Sequence, residues 1–293
     1  MRVFVAGATG AVGRLLVPLL LDAGHQVTGT SRTPAGADRV RRLGASAAQV
    51  DVFDRDSLHE AVKEAAPDAV IHQLTDLAEA NGEATNRLRG EGTRNLVDAA
   101  TSAGVPRIVV QSISWAYAPG DEPADETDPL DLAAAEPRGR IAVGIQALEE
   151  TAAEVGTAVS LRYGVLYGPG TWYEPGGPAA AALAGDPDAP FLGSVAADDS
   201  VNSFLHVADA ARAAVAALDW PSGPVNIVDD EPAPGRAWVP VFAAARGLPA
   251  PEATSGRQSW ARGASNRLAR SRGWRPEHST WRSGFVAQDA PVI

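Results

Sequence analysis

Three glycines within the first thirteen residues restrict the folds open to this chain more than any other feature. Val3-Phe4-Val5-Ala6 is a short apolar run of the kind that forms a strand buried on both faces. Gly7-Ala8-Thr9-Gly10-Ala11-Val12-Gly13 follows at once, and Arg14-Leu15-Leu16 opens an apolar helical stretch. A strand that turns through bare backbone into a helix gathers N–H groups and the positive helix end at one point, a seat for a pyrophosphate. The spacing is Gly-x-x-Gly-x-x-Gly, not the commoner Gly-x-Gly-x-x-Gly. Glycine turns also serve packing alone, but strand, turn and helix stand here in the order a dinucleotide requires. Gly7, Thr9, Gly10, Ala11, Val12 and Gly13 are therefore expected to hold such a cofactor.

The alternation continues. Strand-like runs fall at Val3–Ala6, Gln26–Thr30, Ala48–Val52, Ala69–Leu74 and Arg107–Ser112, with helical patterns near 11–23, 35–43, 56–65 and 86–103. This predicts an α/β fold, a doubly wound parallel sheet of Rossmann type. Pro18 inside the first helix predicts a kink or a short first turn. A Pro-, Asp- and Glu-rich loop spans Ala118 to Pro137. A helix over 138–155 follows, with Ile141, Ile145, Leu148 and Ala152 on one face. Ala158–Tyr163 and Pro224–Val228 read as strands and Val207–Leu218 as a helix. Tyr167–Ser203 is rich in Gly, Pro and Ala, and the tail after 230 holds Trp238, Trp260, Trp274 and Trp281, suggesting a small helical lobe. The expected division is a dinucleotide-binding unit of residues 1–166 plus 204–230, and a substrate-binding lobe of 167–203 plus 231–293.

Composition removes several kinds of chemistry. There is no cysteine, so no thiolate metal site, disulfide or cysteine nucleophile, and no metal site is expected. The net charge of −11 disfavours a surface that tracks nucleic-acid phosphates. No apolar run is long enough to span a membrane, and the chain enters a core strand without a leader. These features fit a cytoplasmic protein with a small-molecule substrate. Lys63 is the only lysine among 25 basic residues, so any mechanism that needs a lysine must use it.

The end of the second strand selects the cofactor. An acid there binds the ribose 2′-hydroxyl of NAD, whereas an arginine accommodates the 2′-phosphate of NADP. The sequence is Thr28-Gly29-Thr30-Ser31-Arg32-Thr33, without an acid. Ser31 and Arg32 offer a hydroxyl and a forked cation, which points to NADP(H). The other reading of Arg32 is a solvated surface residue.

Together these segments resemble the extended short-chain dehydrogenase/reductase family, which includes nucleotide-sugar epimerases and dehydratases. Val70-Ile71-His72, Gly92-Thr93-Arg94-Asn95-Leu96, Arg162 to Gly170, Phe204 to Ala211, Asn226-Ile227 and Gly273-Trp274-Arg275-Pro276 carry the likeness in the family's order. The resemblance implies cofactor contacts at Asp51 and Val52, beside adenine, and at Leu74 and Thr75 after the fourth strand. It implies a homodimer through the helices at 86–103 and 138–155, a face to which Ile141 and Ile145 would belong.

The likeness fails at the family's catalytic pair, a tyrosine and a lysine four residues later on the helix after the fifth strand. Aligned on Glu149, those positions hold Ile141 and Ile145; one residue later they hold Ala142 and Gln146. The chain lacks the pair, so the family's reaction does not transfer with its fold. Ser112, Ser114 and Tyr117 are the remaining candidates: strand alternation points both serines one way, towards a substrate carbonyl, and Tyr117 is a proton donor or a structural cap. His72 and His206 fall where the family has histidines and are expected to be structural. The run Asp121, Glu122, Asp125, Glu126, Asp128 reads as a solvated face. Trp115, Trp172 and Tyr173 either line an aromatic pocket or belong to the core. The leading reading is an atypical NADP(H)-dependent oxidoreductase or reductase acting on a carbonyl or related group. Its rivals are a non-redox epimerase, dehydratase or cyclase, and a non-catalytic NADPH-sensing module.

Overall fold

The computed structural model describes residues 1–76 and 80–286; the last seven residues of the expected lobe, 287–293, lie outside the described residues. The N-terminal half alternates as the sequence predicts: β1 (Arg2–Ala6), α1 (Gly13–Asp22), β2 (Gln26–Ser31), α2 (Pro34–Arg42), β3 (Ser46–Gln49), α3 (Arg55–Ala65) and β4 (Ala69–His72). Next come α4 (Gly82–Arg87), a π-helical turn (Leu88–Gly92), α5 (Thr93–Ser102), β5 (Arg107–Ile113), α6 (Arg138–Ala152) and β6 (Thr157–Tyr163). The chain then forms β7 (Val165–Tyr167), α7 (Pro178–Leu183), β8 (Val201–Asn202), β9 (Phe204–His206), α8 (Val207–Ala216) and β10 (Gly223–Ile227). It closes with β11 (Ala233–Pro234), α9 (Gly235–Ala245), α10 (Arg267–Ser271) and α11 (Trp281–Val286).

Seven strands form one sheet in the order β10-β6-β5-β4-β1-β2-β3, and every pairing is parallel. The order reverses at β1, between β2 and β4. In an open α/β sheet the crevice outside the carboxyl ends at that reversal is where ligands bind. Helices cover both faces. Val3, Val5, Val109 and Leu161 meet α1 and α8 on one side; Phe4, Val70, Val110 and Leu148 lie on the other with α3, α5 and α6. A third cluster, built from Tyr167, Tyr173, Phe204, Trp238, Phe242, Trp281 and Phe285, forms the core of the lobe.

Four expectations need amendment. α1 runs from Gly13 to Asp22 as one helix with Pro18 inside it. β3 ends at Gln49, because Val50 and Val52 are buried in the connection beneath α5 instead of extending the strand. The helix expected over 86–103 starts at Gly82 and passes through the π turn. Finally, the tail is not all lobe: Leu268, Ala269 and Trp274 pack into the core shared by α1, α8 and the sheet.

Candidate functional site

At the reversal point the turn has no room for a Cβ at its first and last glycines. Gly7 has φ +91°, and a Cβ there would stand 2.8 Å from the carbonyl of Gln73. A Cβ on Gly13 would meet the Gly7 oxygen at 2.1 Å. The first contact brings the turn against the end of β4; the second seats α1 on the turn itself. No side chain among the described residues caps α1, so its amino end keeps the capacity to bind an anion. Gly10 is exposed at the tip, with Thr9 and Ala11 half-buried beside it and Val12 buried below. This uncapped, glycine-lined cradle fits a dinucleotide pyrophosphate.

The flanking groups follow the same geometry. Ser31 and Arg32 lie at the carboxyl end of β2; Ser31 packs so tightly on Gly36 at the start of α2 that a Cβ there would fall on its hydroxyl. Arg32 is exposed and makes no ion pair among the described residues. Asp51 accepts from the Phe53 N–H at 3.0 Å, and the Val52 carbonyl accepts from Asn95. Leu74 and Thr75 are half-buried after β4. The Leu74 N–H donates to His72 Nδ1 at 3.1 Å, and His72 Nε2 lies 3.1 Å from Thr93 Oγ1. His72 is thus a structural strut, and burial pushes its pKa down to about 4.

Arg14, not singled out by the sequence reading, completes the turn. From the first turn of α1 its Nη2 donates to the Pro169 carbonyl at 2.5 Å, tying the turn to the loop that enters the lobe. Gly170, at φ +74°, leaves the space this guanidinium occupies. The local signal was available: an arginine directly after the last glycine of the turn.

The three catalytic candidates diverge. Ser112 is buried, and its hydroxyl donates to Glu149 Oε1 at 2.7 Å. Glu149 is held by a bidentate pair with Arg162 at 2.8 and 2.6 Å. Ser114 lies past the end of β5, where strand alternation no longer applies, and it lines a crevice with Trp115, Val165, Asn202 and Trp260. That crevice has about 10 Å³ of free space, the room of about one water. Tyr117 borders it, but its hydroxyl donates to Asn226 Oδ1 at 2.7 Å and burial raises its pKa to about 12. A phenol so buried and so weakly acidic pins the loop to β10; the proton-donor reading of Tyr117 is corrected on this ground. Lys63 is exposed on α3 beside Glu60 and replaces nothing. Ile145 is fully buried, so it is not a dimer contact either; the exposed apolar residue of α6 is Val143.

The remaining tyrosines are core residues. Tyr163 joins Gln73 to the Ala210 carbonyl, while Tyr167 and Tyr173 sit in the aromatic cluster of the lobe. Trp172 meets Phe191 edge-on, which leaves Trp115 as the pocket aromatic of the expected three. The acidic run is solvated at Asp121, whose side chain is 98% exposed beside Arg257, while Asp125 and Asp128 pair with Arg267 and the buried Arg262. Glu126 accepts from the Asn226 N–H at 2.7 Å. His206, Asp209 and His278 approach one another, but the two rings are stacked at 3.6 Å, which sets their in-plane lone pairs side by side instead of convergent. Asp209 is meanwhile filled by Arg212, two backbone N–H groups and His278.

A parallel sheet, its reversal-point glycine cradle and the arginine at β2 define an NAD(P)-dependent enzyme of the short-chain dehydrogenase/reductase type. The chain belongs to the NAD dependent epimerase/dehydratase family, whose family model matches residues 3–228. A Streptomyces protein named 3-diazoavenalumate denitrifying reductase is 41% identical over 311 aligned positions, spanning 97% of this chain and 99% of that protein. Among solved structures, a Thermus thermophilus UDP-glucose 4-epimerase in complex with NAD superposes with a TM-score of 0.75 at 25% identity, covering 98% of this chain and 97% of that one. A Thermotoga maritima UDP-glucose 4-epimerase with UDP-glucose gives 0.75 at 18%, covering 98% and 96%, and speaks for the fold alone.

Proposed function

We propose that the protein is an NADPH-dependent reductase that removes dinitrogen from a small diazonium compound, a reaction suggested by the name of its Streptomyces relative. The observation that carries this reading is a near-full-length match to a denitrifying reductase in a chain that lacks the tyrosine–lysine pair. Reducing a carbonyl leaves an alkoxide that must be protonated, which is the work of such a pair. A diazonium carbon needs no such proton. It gains a hydride and loses its C–N bond, so that R–N₂⁺ and NADPH give R–H, N₂ and NADP⁺. NADPH, when bound, supplies that hydride.

The chain's own residues hold and orient the reactants, the larger part of what a hydride transfer asks of a protein. The cradle of Gly7, Thr9, Gly10, Ala11, Val12 and Gly13 binds the pyrophosphate, with Asp51, Val52, Leu74 and Thr75 along the nucleoside and nicotinamide arms. Ser31 and Arg32 take the 2′-phosphate. Ser114 orients the substrate, and Ser112, held by Glu149, shapes the floor. Tyr167–Ser203 contains no lysine or arginine and five acids. A nucleotide-sugar diphosphate would find no cation there, which favours a diazo compound over the sugar-nucleotide substrates of the solved relatives.

Titration with NADPH and with NADH, followed by tryptophan quenching, tests the cofactor. We expect at least tenfold preference for NADPH, about 1.4 kcal/mol, and loss of that preference in Arg32→Ala. An arenediazonium substrate then tests the reaction: NADPH consumed and N₂ released should be equimolar, and deuterium from [4-²H]NADPH should appear in the product. Turnover without net change in nicotinamide absorbance would overturn the reductase reading in favour of non-redox chemistry.

A further inference from the structure

The π-helical turn between α4 and α5 stands above the carboxyl end of β4, where Thr93 Oγ1 meets His72. Arg89 lies on that turn, one helical turn further from the sheet. Its side chain runs towards α6 and passes Gly144, where a Cβ would stand 3.7 Å from Arg89 Cδ. Gly144 lies between Ile141 and Ile145, the positions where the family's catalytic tyrosine and lysine are missing. A cation has therefore entered this region from a neighbouring helix.

This guanidinium is poorly partnered. Arg89 Nη1 donates to Asn86 Oδ1 at 3.0 Å, and no carboxylate pairs with it among the described residues. The nearby acids are engaged elsewhere: Glu91 with Arg87, Glu83 with Arg140, Glu149 with Arg162. Burial alone lowers the Arg89 pKa, to about 10, which leaves it charged at neutral pH. A half-buried cation without a counter-ion is well placed to take an anion that completes it. None of its nitrogens is both sealed from solvent and without a partner, so an approach remains open.

We infer that Arg89 is the receptor for a carboxylate on the substrate, so that the enzyme selects small organic acids. A planar fork matches a carboxylate bidentately. One cation suits one negative charge. The inference rests on the reductase reading for the identity of the site, but its test does not depend on turnover.

Protein loaded with NADP⁺ is titrated calorimetrically with cinnamate and with its neutral isostere cinnamamide, neither of which can be reduced by loss of dinitrogen. The expected result is tenfold or greater preference for cinnamate, abolished in Arg89→Gln and partly retained in Arg89→Lys. With a carboxylated arenediazonium substrate, Arg89→Gln should raise KM at least tenfold and change kcat less. NADPH binding by each variant reports that it is folded. Equal binding of acid and amide, binding of neither, or a preference that survives Arg89→Gln would overturn the inference. An Arg89-dependent preference without any diazo reduction would sink the reaction and leave the receptor standing; diazo reduction with a preference indifferent to Arg89 would do the reverse.

Discussion

His72 ties the end of β4 to the start of α5. Its two ring nitrogens are occupied by the Leu74 N–H and Thr93 Oγ1, so the ring sits neutral at the carboxyl end of β4. With a native pKa of about 4 against the ordinary 6.5, the unfolded chain takes up a proton first as pH falls. The contribution is fully present above pH 6.5, is lost progressively between 6.5 and 4, and amounts to about 3 kcal/mol. Urea unfolding of the wild type and of His72→Gln should give a stability difference that shrinks from pH 7.5 to 4.5; a constant difference would remove this account. The glycines were legible in the sequence, because a turn that excludes Cβ atoms leaves a mark in composition. Arg89 was not, since nothing in Leu88-Arg89-Gly90 tells that two helices will close on its side chain.

Elements built on a long apolar period were read to within a residue or two, and the reason is visible in the sheet. β1, β4, β5 and β6 are buried on both faces, so their sequences are continuous apolar runs. The lobe and its junctions with the sheet escaped such a reading because β7, β8, β9 and β11 are two or three residues long. Strands that short exist only by virtue of partners far along the chain. The surroundings of Ser112 were illegible for the same cause: Ser112, Glu149 and Arg162 come from β5, α6 and β6 and meet only when those elements pack. Their pairing is buried, with 6% and 14% of the Arg162 and Glu149 side chains exposed. Glu149→Gln leaves the guanidinium without its counter-ion and should cost about 3–5 kcal/mol, as for other broken buried pairs. Chemical denaturation should also show that Glu149→Gln combined with Arg162→Met recovers much of that loss.

The two halves of the molecule are joined by more than a linker. Trp274 and Ala269 are buried against α1 and α8, and the N–H groups of Glu277 and His278 both donate to the fully buried Asp209 at 2.9 Å. A chain ended at residue 230 would expose that core and strip Asp209 of three of its partners. We expect such a fragment to unfold without a cooperative transition and to be cut rapidly by trypsin; a compact, protease-resistant fragment would show the sheet to be self-sufficient. The packing of α1 against α8 also bears on how the protein is made. Leu16, Val17 and Leu20 emerge from the ribosome early, but the alanine face of α8 that covers them is translated much later. At ordinary elongation rates that delay is on the order of ten seconds or more. Throughout it the nascent chain carries on α1 an apolar stripe that only the last third of the chain will cover.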